Sequence, residues 1–322
     1  MVLKNFSNSV FELYEAALAT TPNEFSMEIF RIVGKLISFD RAILSSAQAD
    51  ENPEASLTVD HTHAHNRAEQ PVMECADNYV LDPVSDALAW NKVSGPCAID
   101  CSDLYQLHRM ETLNSFAIEN NLQKMLLFGD FPARHYKQRW IALYRGTRDE
   151  FTKSDADVLQ AIWNHISRTI ELNLHQALNR LRKDGTELAV SLINSRGMIE
   201  VSNATFHEIM KLEWPLFNSG YLPLPVAHAL VSNGRYRGKK IEITATQKFG
   251  YLACTAQSIP LFDLLAPAEM NVADRFAKGM THSEIAAQLH ISPHTVRNQI
   301  AQIYQKLGIH SKAELVRVML AR

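Results

Sequence analysis

Segment 265–322 is punctuated so closely by helix start and stop signals that a set of short helices is the only fold it specifies. Pro267 and Glu269 mark the start of a first helix, and Gly279, free to adopt a left-handed conformation, marks its end. Thr281 with Glu284 forms a capping box for a second helix, which carries Ile285, Ala286 and Leu289 on one face. His290, Ile291 and Ser292 make the next turn. Ser292 is then an N-cap and Pro293 the first residue of a third helix, whose inward stripe is Val296, Ile300, Ile303 and Leu307. Gly308 stops it, and Ser311 with Glu314 caps a fourth. A small residue such as Ala286 lets two helices approach closely at the turn between them.

The face opposite that stripe presents His294, Thr295, Arg297, Asn298, Ala301, Gln302 and Gln305. Arginine pairs with guanine and asparagine or glutamine with adenine, so this face suits the base edges of duplex DNA. Hydroxyls at helix starts, Thr281 and Ser283 among them, and the ammonium of Lys306 suit phosphates. The plainer alternative is a helical hairpin with a solvated polar face. Charge favours DNA: from Leu265 onward seven Lys and Arg stand against four acids, which puts +3 on this segment and −6 on the rest of a chain whose net charge is −3. An excess of +3 is small, so a single copy is expected to bind weakly.

Four stretches carry a family resemblance: Leu265 to Glu269, Gly279 to Ala286, Ile291 to Asn298, and Ile303 to Gly308. Together they resemble the LuxR/NarL-type helix-turn-helix over all of 265–322. The resemblance implies a four-helix domain, major-groove reading by the helix from Pro293 to Lys306, and dimers formed partly by the last helix. It also has three departures: Ala266 in place of a hydroxyl cap, His290 where Gly is common, and Gln299 where His is common.

Upstream, Thr21, Pro22 and Glu24 open a helix with Phe25, Ile29, Ile32, Val33 and Leu36 at helical spacing. Strands are expected at 41–47, 57–59, 124–128 and 139–144, and helices at 70–79, 83–92 and 103–120. A long helix is expected over 154–183, where Val158, Ile162, Ile166, Ile170, Leu174 and Leu178 recur every four residues. It would run about 45 Å, more than one small domain needs. The helix is therefore expected to connect domains, and its stripe is the first candidate for a contact between two copies. Beyond Gly185, strands at 188–193 and 198–201, a helix at 203–212, and a hairpin of 240–246 with 251–256 form a smaller unit.

The first 180 residues resemble GAF-related sensor domains, and 182–258 resemble a PAS domain in element order. Tyr79 to Pro83, followed by Ser94, Gly95 and Pro96, is similar to the acyl-homoserine-lactone receptors, with departures at Glu69, Met73 and Ile99 that weigh against a lactone. Asp82 is the ligand candidate that this similarity supplies; its alternative role is an N-cap before Pro83. The expected architecture is α+β: a GAF-like sensor domain over 1–183 ending in the long helix, a PAS-like domain over 184–260, and an all-α LuxR-type domain over 265–322.

Other residues with chemical potential are given plainer roles. His61, His63 and His65 alternate but sit in polar, loop-like surroundings, and no metal site is expected. His207 and His228 are read as ordinary histidines rather than haem ligands, Cys97 and Cys101 as reduced thiols, and Trp140 and Trp163 as core. No cofactor is expected.

At 322 residues and 46% hydrophobic the chain has room for two or three ordinary domains, and it contains neither an apolar run long enough to span a bilayer nor a secretory signal. A cytoplasmic protein without membrane contact is expected. Segment 1–264 has no nucleophile elbow, phosphate loop or metal-protease motif, so an enzyme is not expected, and no paired acids after an opening strand mark a phosphorylated receiver. The expected partners are double-stranded DNA, a second copy of the chain, and a small-molecule effector. The alternative is a front region that only dimerises or binds a protein.

Overall fold

A computed structural model of the chain describes residues 2–48, 58–65, 95–103, 111–130, 138–146, 150–181, 188–218 and 220–320. Asp82, Cys75, the helices expected at 70–79 and 83–92, and part of the one at 103–120 lie outside them.

Two helices open the chain, α1 (Val2–Ala19) and α2 (Pro22–Val33). At the junction the backbone N–H and the hydroxyl of Thr21 donate to Glu24 at 2.9 and 2.8 Å, and Pro22 occupies the first turn. Strands β1 (Arg41–Gln48), β2 (Thr58–His65), β3 (Cys97–Asp100), β4 (Lys124–Gly129) and β5 (Gln138–Arg145) form an antiparallel sheet in the order β2-β1-β5-β4-β3. Helix α3 (Glu111–Glu119) precedes β4. Strand alternation gives the sheet two buried faces. Leu44, Leu126, Ile141 and Leu143 pack against α1, α2 and the long helix, while Ile43, Met125, Leu127 and Ala142 are buried on the opposite face.

Two expectations are corrected in this sheet. The short strand at 57–59 is instead eight residues long, so His61, His63 and His65 lie in a strand and not in a loop. They pair with Ser46, Leu44 and Ala42. The backbone ladder with β1 extends the strand beyond the apolar residues on which the shorter reading rested. Strand β3 was not anticipated, because four residues carry no readable period.

The long helix, α4 (Lys153–Leu181), has 29 residues, about 43 Å. Its stripe does not face outward, and the expectation of a subunit contact there is corrected. Leu159, Ile162, Trp163 and Ile166 are fully buried against Leu13, Phe30 and the first sheet. Leu174, Ala177 and Leu178 are buried against the second sheet. One helix therefore serves two cores in succession, which is why its apolar stripe is longer than one domain requires. Its polar residues serve the same packing. Asn173 Nδ2 donates to the carbonyls of Ala17 and Thr20 at 2.9 and 3.0 Å, and Arg180 to that of Leu18 at 2.8 Å, satisfying the open end of α1. The indole N–H of Trp163 donates to Asp130 at 2.7 Å.

The second unit contains β6 (Ala189–Ile193), β7 (Ile199–Ser202), α5 (Ala204–Glu213), α6 (Leu224–Asn233), β8 (Arg235–Arg237), β9 (Ile241–Lys248) and β10 (Tyr251–Ser258). Its sheet is again antiparallel, in the order β7-β6-β10-β9-β8. Numbered within each unit, both sheets run 2-1-5-4-3, a repetition of topology without repetition of sequence. Asn203 caps α5, as expected, by accepting from the N–H of Phe206 at 3.0 Å. Every residue of β6 is buried: Ala189 and Ile193 lie under α5 and α6, and Val190 and Leu192 lie against α4.

A 3-10 turn (Leu261–Leu264) leads into α7 (Pro267–Ala277), α8 (His282–Leu289), α9 (Pro293–Leu307) and α10 (Lys312–Leu320), which share one core. Among the described residues no helix is long and apolar enough to cross a membrane.

Candidate nucleic-acid interface

The C-terminal helices begin and end where their signals stand. Thr281 donates to Glu284 from its backbone N–H and its hydroxyl, at 2.7 and 2.8 Å, and accepts from the Glu284 N–H at 3.3 Å. Ser292 accepts from the N–H of Thr295 at 3.0 Å. Three residues separate α8 from α9, and the first of them, His290, sits at φ 54°, ψ 43°. A left-handed backbone there lets the chain reverse between the two helices, at a cost for any residue with a Cβ. Replacing His290 by Gly is therefore expected to stabilise this domain by about 1 kcal/mol. An unchanged or lowered unfolding temperature of the variant would remove that conclusion.

Val296, Ile300, Ile303 and Leu307 of α9 are buried against α7, α8 and α10, and this fixes the opposite face outward. His294, Thr295, Arg297, Asn298, Ala301, Gln302 and Gln305 are all exposed. Arg297 makes no ion pair among the described residues, and Asn298 meets only His294, one turn away, at 3.3 Å. The other tail cations are engaged differently. Arg275 bonds Gln288 and the Asn271 carbonyl, Lys278 pairs with Asp274, and Lys312 lies over the Phe276 ring. Thr281 and Ser283 are exposed at the start of α8, with Thr281 occupied as a cap.

Lys306 is held by the fold. Its ammonium lies 2.7 Å from Glu269, whose carboxylate is only 9% exposed, and the same carboxylate oxygen accepts the Ala266 N–H at 2.8 Å. That second bond is the glutamate half of a capping box; Ala266 has no hydroxyl to supply the other half. One oxygen thus ties the start of α7 to the end of α9. The Glu269 role is invisible in sequence, where its partner stands 37 positions away. Burial raises the Glu269 carboxyl, but the Lys306 and Ala266 donors outweigh it and hold the pKa below the ordinary glutamate value. A carboxyl lowered by folding stabilises the domain above its unfolded pKa and stops doing so as pH falls through its folded pKa. Acidification from about pH 5 to pH 3 is expected to lower the unfolding temperature of this domain more than that of its Glu269→Gln variant. Equal losses would dismiss the tie.

The remaining candidates stay apart from this surface. His65 lies against the rings of Phe30 and Phe39, and His207 Nε2 meets the Ser202 hydroxyl at 2.7 Å. His228 is exposed on α6. Among the described residues no group of three His, Cys, Asp or Glu is placed to hold a metal. Cys97 is half-buried with its thiol pushed up by burial, Cys101 is buried, and neither is in a disulfide among the described residues; Trp140 and Trp163 are core, as expected.

With four short helices, a three-residue turn and an outward polar helix in place, the comparison with known proteins is decisive for this segment. Residues 263–319 match the family model described as bacterial regulatory proteins, luxR family. The C-terminal unit is a luxR-family helix-turn-helix domain. Over 57 residues the chain is 44% identical to the transcriptional regulatory protein UhpA of Escherichia coli K12, covering 18% of this chain and 29% of that one. Over 60 residues it is 33% identical to the probable transcriptional regulatory protein NarL of Mycobacterium tuberculosis, covering 19% and 28%. These matches span under a third of the length of the curated relatives. A solved structure of SdiA in complex with octanoyl-rac-glycerol aligns with 98% of this chain and 94% of its own, at 16% identity and a TM-score of 0.39. That likeness is too loose to bear on function.

Proposed function

We propose that the chain is a sequence-specific DNA-binding transcription regulator, cytoplasmic, and controlled by a small molecule bound in the region before the helix-turn-helix. The observation that carries this reading is the outward face of α9, where Arg297, Asn298 and Gln302 stand exposed above a fully apolar inner stripe. In this reading Arg297, Asn298 and Gln302 meet base edges, His294, Thr295 and Ala301 line the same groove, and Thr281, Ser283 and Lys306 contact phosphates. The two sheet units are read as GAF-like and PAS-like sensors, supported by their shared 2-1-5-4-3 strand order.

The working species is proposed to be a homodimer. A +3 module neutralises few phosphates, and affinity changes by roughly 0.9 log units per phosphate per decade of salt, so two modules on one operator are needed at cellular ionic strength. Since the stripe of α4 is internal, the pairing surface is proposed to lie on α10, where Leu320 is 81% exposed. Selection of sites by the full chain from randomised duplexes is expected to yield an inverted repeat with half-sites about one helical turn apart. Enrichment of no sequence would refute the reading.

A further inference from the structure

A cleft opens where the first sheet unit meets the second. Its walls are the start of α2, the middle of β1, His63 of β2, the first residues of β5, the centre of α4, and Glu200 and Tyr251 of the second sheet. The cavity is about 40 Å³, opening into a wider mouth. That is room for a group of a few heavy atoms, several times what one water requires.

Its chemistry is dominated by Arg139. Strand alternation puts Arg139 on the same face as Ile141, toward α4, and the register sets it opposite Ser46, which also lines the cleft. The side chain is only 11% exposed, yet its one ion pair among the described residues is with Glu171 at 3.8 Å, a carboxylate that is 47% exposed. The Asp130 carboxylate also acts on it through space, but a guanidinium so deeply buried needs close, hydrogen-bonded compensation, and neither that nor a contact of 3.8 Å supplies much of it. Burial pushes the Tyr251 phenol up to about 12, so it stays protonated. Ser46 brings a further hydroxyl to the cleft, and Phe25, Ile170 and Leu174 supply apolar wall. Among the described residues, Glu200 is the one acid that lines it.

We propose that this cleft is the binding site of a small monocarboxylate, its carboxylate held in the fork of Arg139 and its short apolar part against Phe25 and Leu174. Planar bidentate recognition of a carboxylate is what a guanidinium does best. Glu200 disfavours a second negative charge, which sets monocarboxylates above dicarboxylates. This inference rests on the reading of the chain as a small-molecule-controlled regulator, and gives that signal a place and a chemical class. The bound molecule would touch α4 and both sheets at once.

The test uses the full chain, with sodium propionate as the probe and sodium chloride at equal ionic strength as control. Calorimetry and thermal unfolding are expected to show propionate binding, with propionamide and malonate at least tenfold weaker. Arg139→Gln should abolish the binding, and Ser46→Val, which fills the cavity without touching the charge, should weaken it at least tenfold. The proposal is overturned if propionate gives neither heat nor a rise in unfolding temperature, or if propionamide matches it. It is overturned equally if Ser46→Val binds propionate unchanged, a result that counts even where Arg139→Gln fails to fold. Operator affinity separates this site from the broader reading. A change in that affinity with a cell-derived small-molecule fraction, alongside no propionate binding, overturns the site and leaves the regulator standing. Propionate that binds without altering operator affinity upholds the site and counts against signal control through it.

Discussion

Ile166→Glu is expected to unfold the first sheet unit rather than release a folded monomer. Ile166 is fully buried between the first sheet, α1 and α2. Its replacement removes roughly 2–3 kcal/mol of apolar burial and puts a carboxyl group among buried apolar side chains. The total, about 5 kcal/mol or more, is comparable with the whole stability of a domain. Loss of the unit's unfolding transition, with rapid proteolysis of 2–181, is the predicted outcome. A monomer with full helical content would mean instead that the stripe of α4 faces a second copy. Because Leu174 and Leu178 serve the second core from the same helix, the damage is expected to spread into 188–258.

On a selected operator, Arg297→Ala is expected to cost about 1–3 kcal/mol, or roughly five- to 150-fold in affinity, with no change in unfolding temperature. Its side chain is exposed and makes no ion pair among the described residues, so the protein alone loses nothing by its removal. Lys306→Ala should behave differently. It leaves the buried Glu269 carboxylate without its cation, so the domain loses stability together with DNA affinity for every sequence. If Arg297→Ala binds the operator like the wild type, α9 is not the reading helix.

The tail was legible in sequence almost to the residue because its signals are local. Thr281 with Glu284, Ser292 with Pro293, and Gly308 act within a turn of the helix ends they mark. The mixed architecture of the front was legible for the same reason, through the short strand-like stretch 41–47, the polar turn after it and the period of 154–183. What escaped depends on distant partners. The stripe of α4 looked like a surface because sequence shows its period but not that two sheets cover it in turn. Strand β2 was cut short because its pairing with β1, rather than its own residues, carries it through His61 to His65. Of the interface, the exposed polar face could be read from spacing. The tie between Lys306 and Glu269, and the cleft around Arg139, join residues from separate elements and leave no periodic trace.

Sites selected from randomised duplexes by the wild-type chain and by Asn298→Ala put the reading of DNA by α9 to the most direct test. Asn298 is exposed on that helix and suits adenine, so the variant should select the same inverted repeat with its preference relaxed at one symmetric position in each half-site. Identical sequence preferences for the two proteins would contradict the assignment of α9 as the helix that reads DNA.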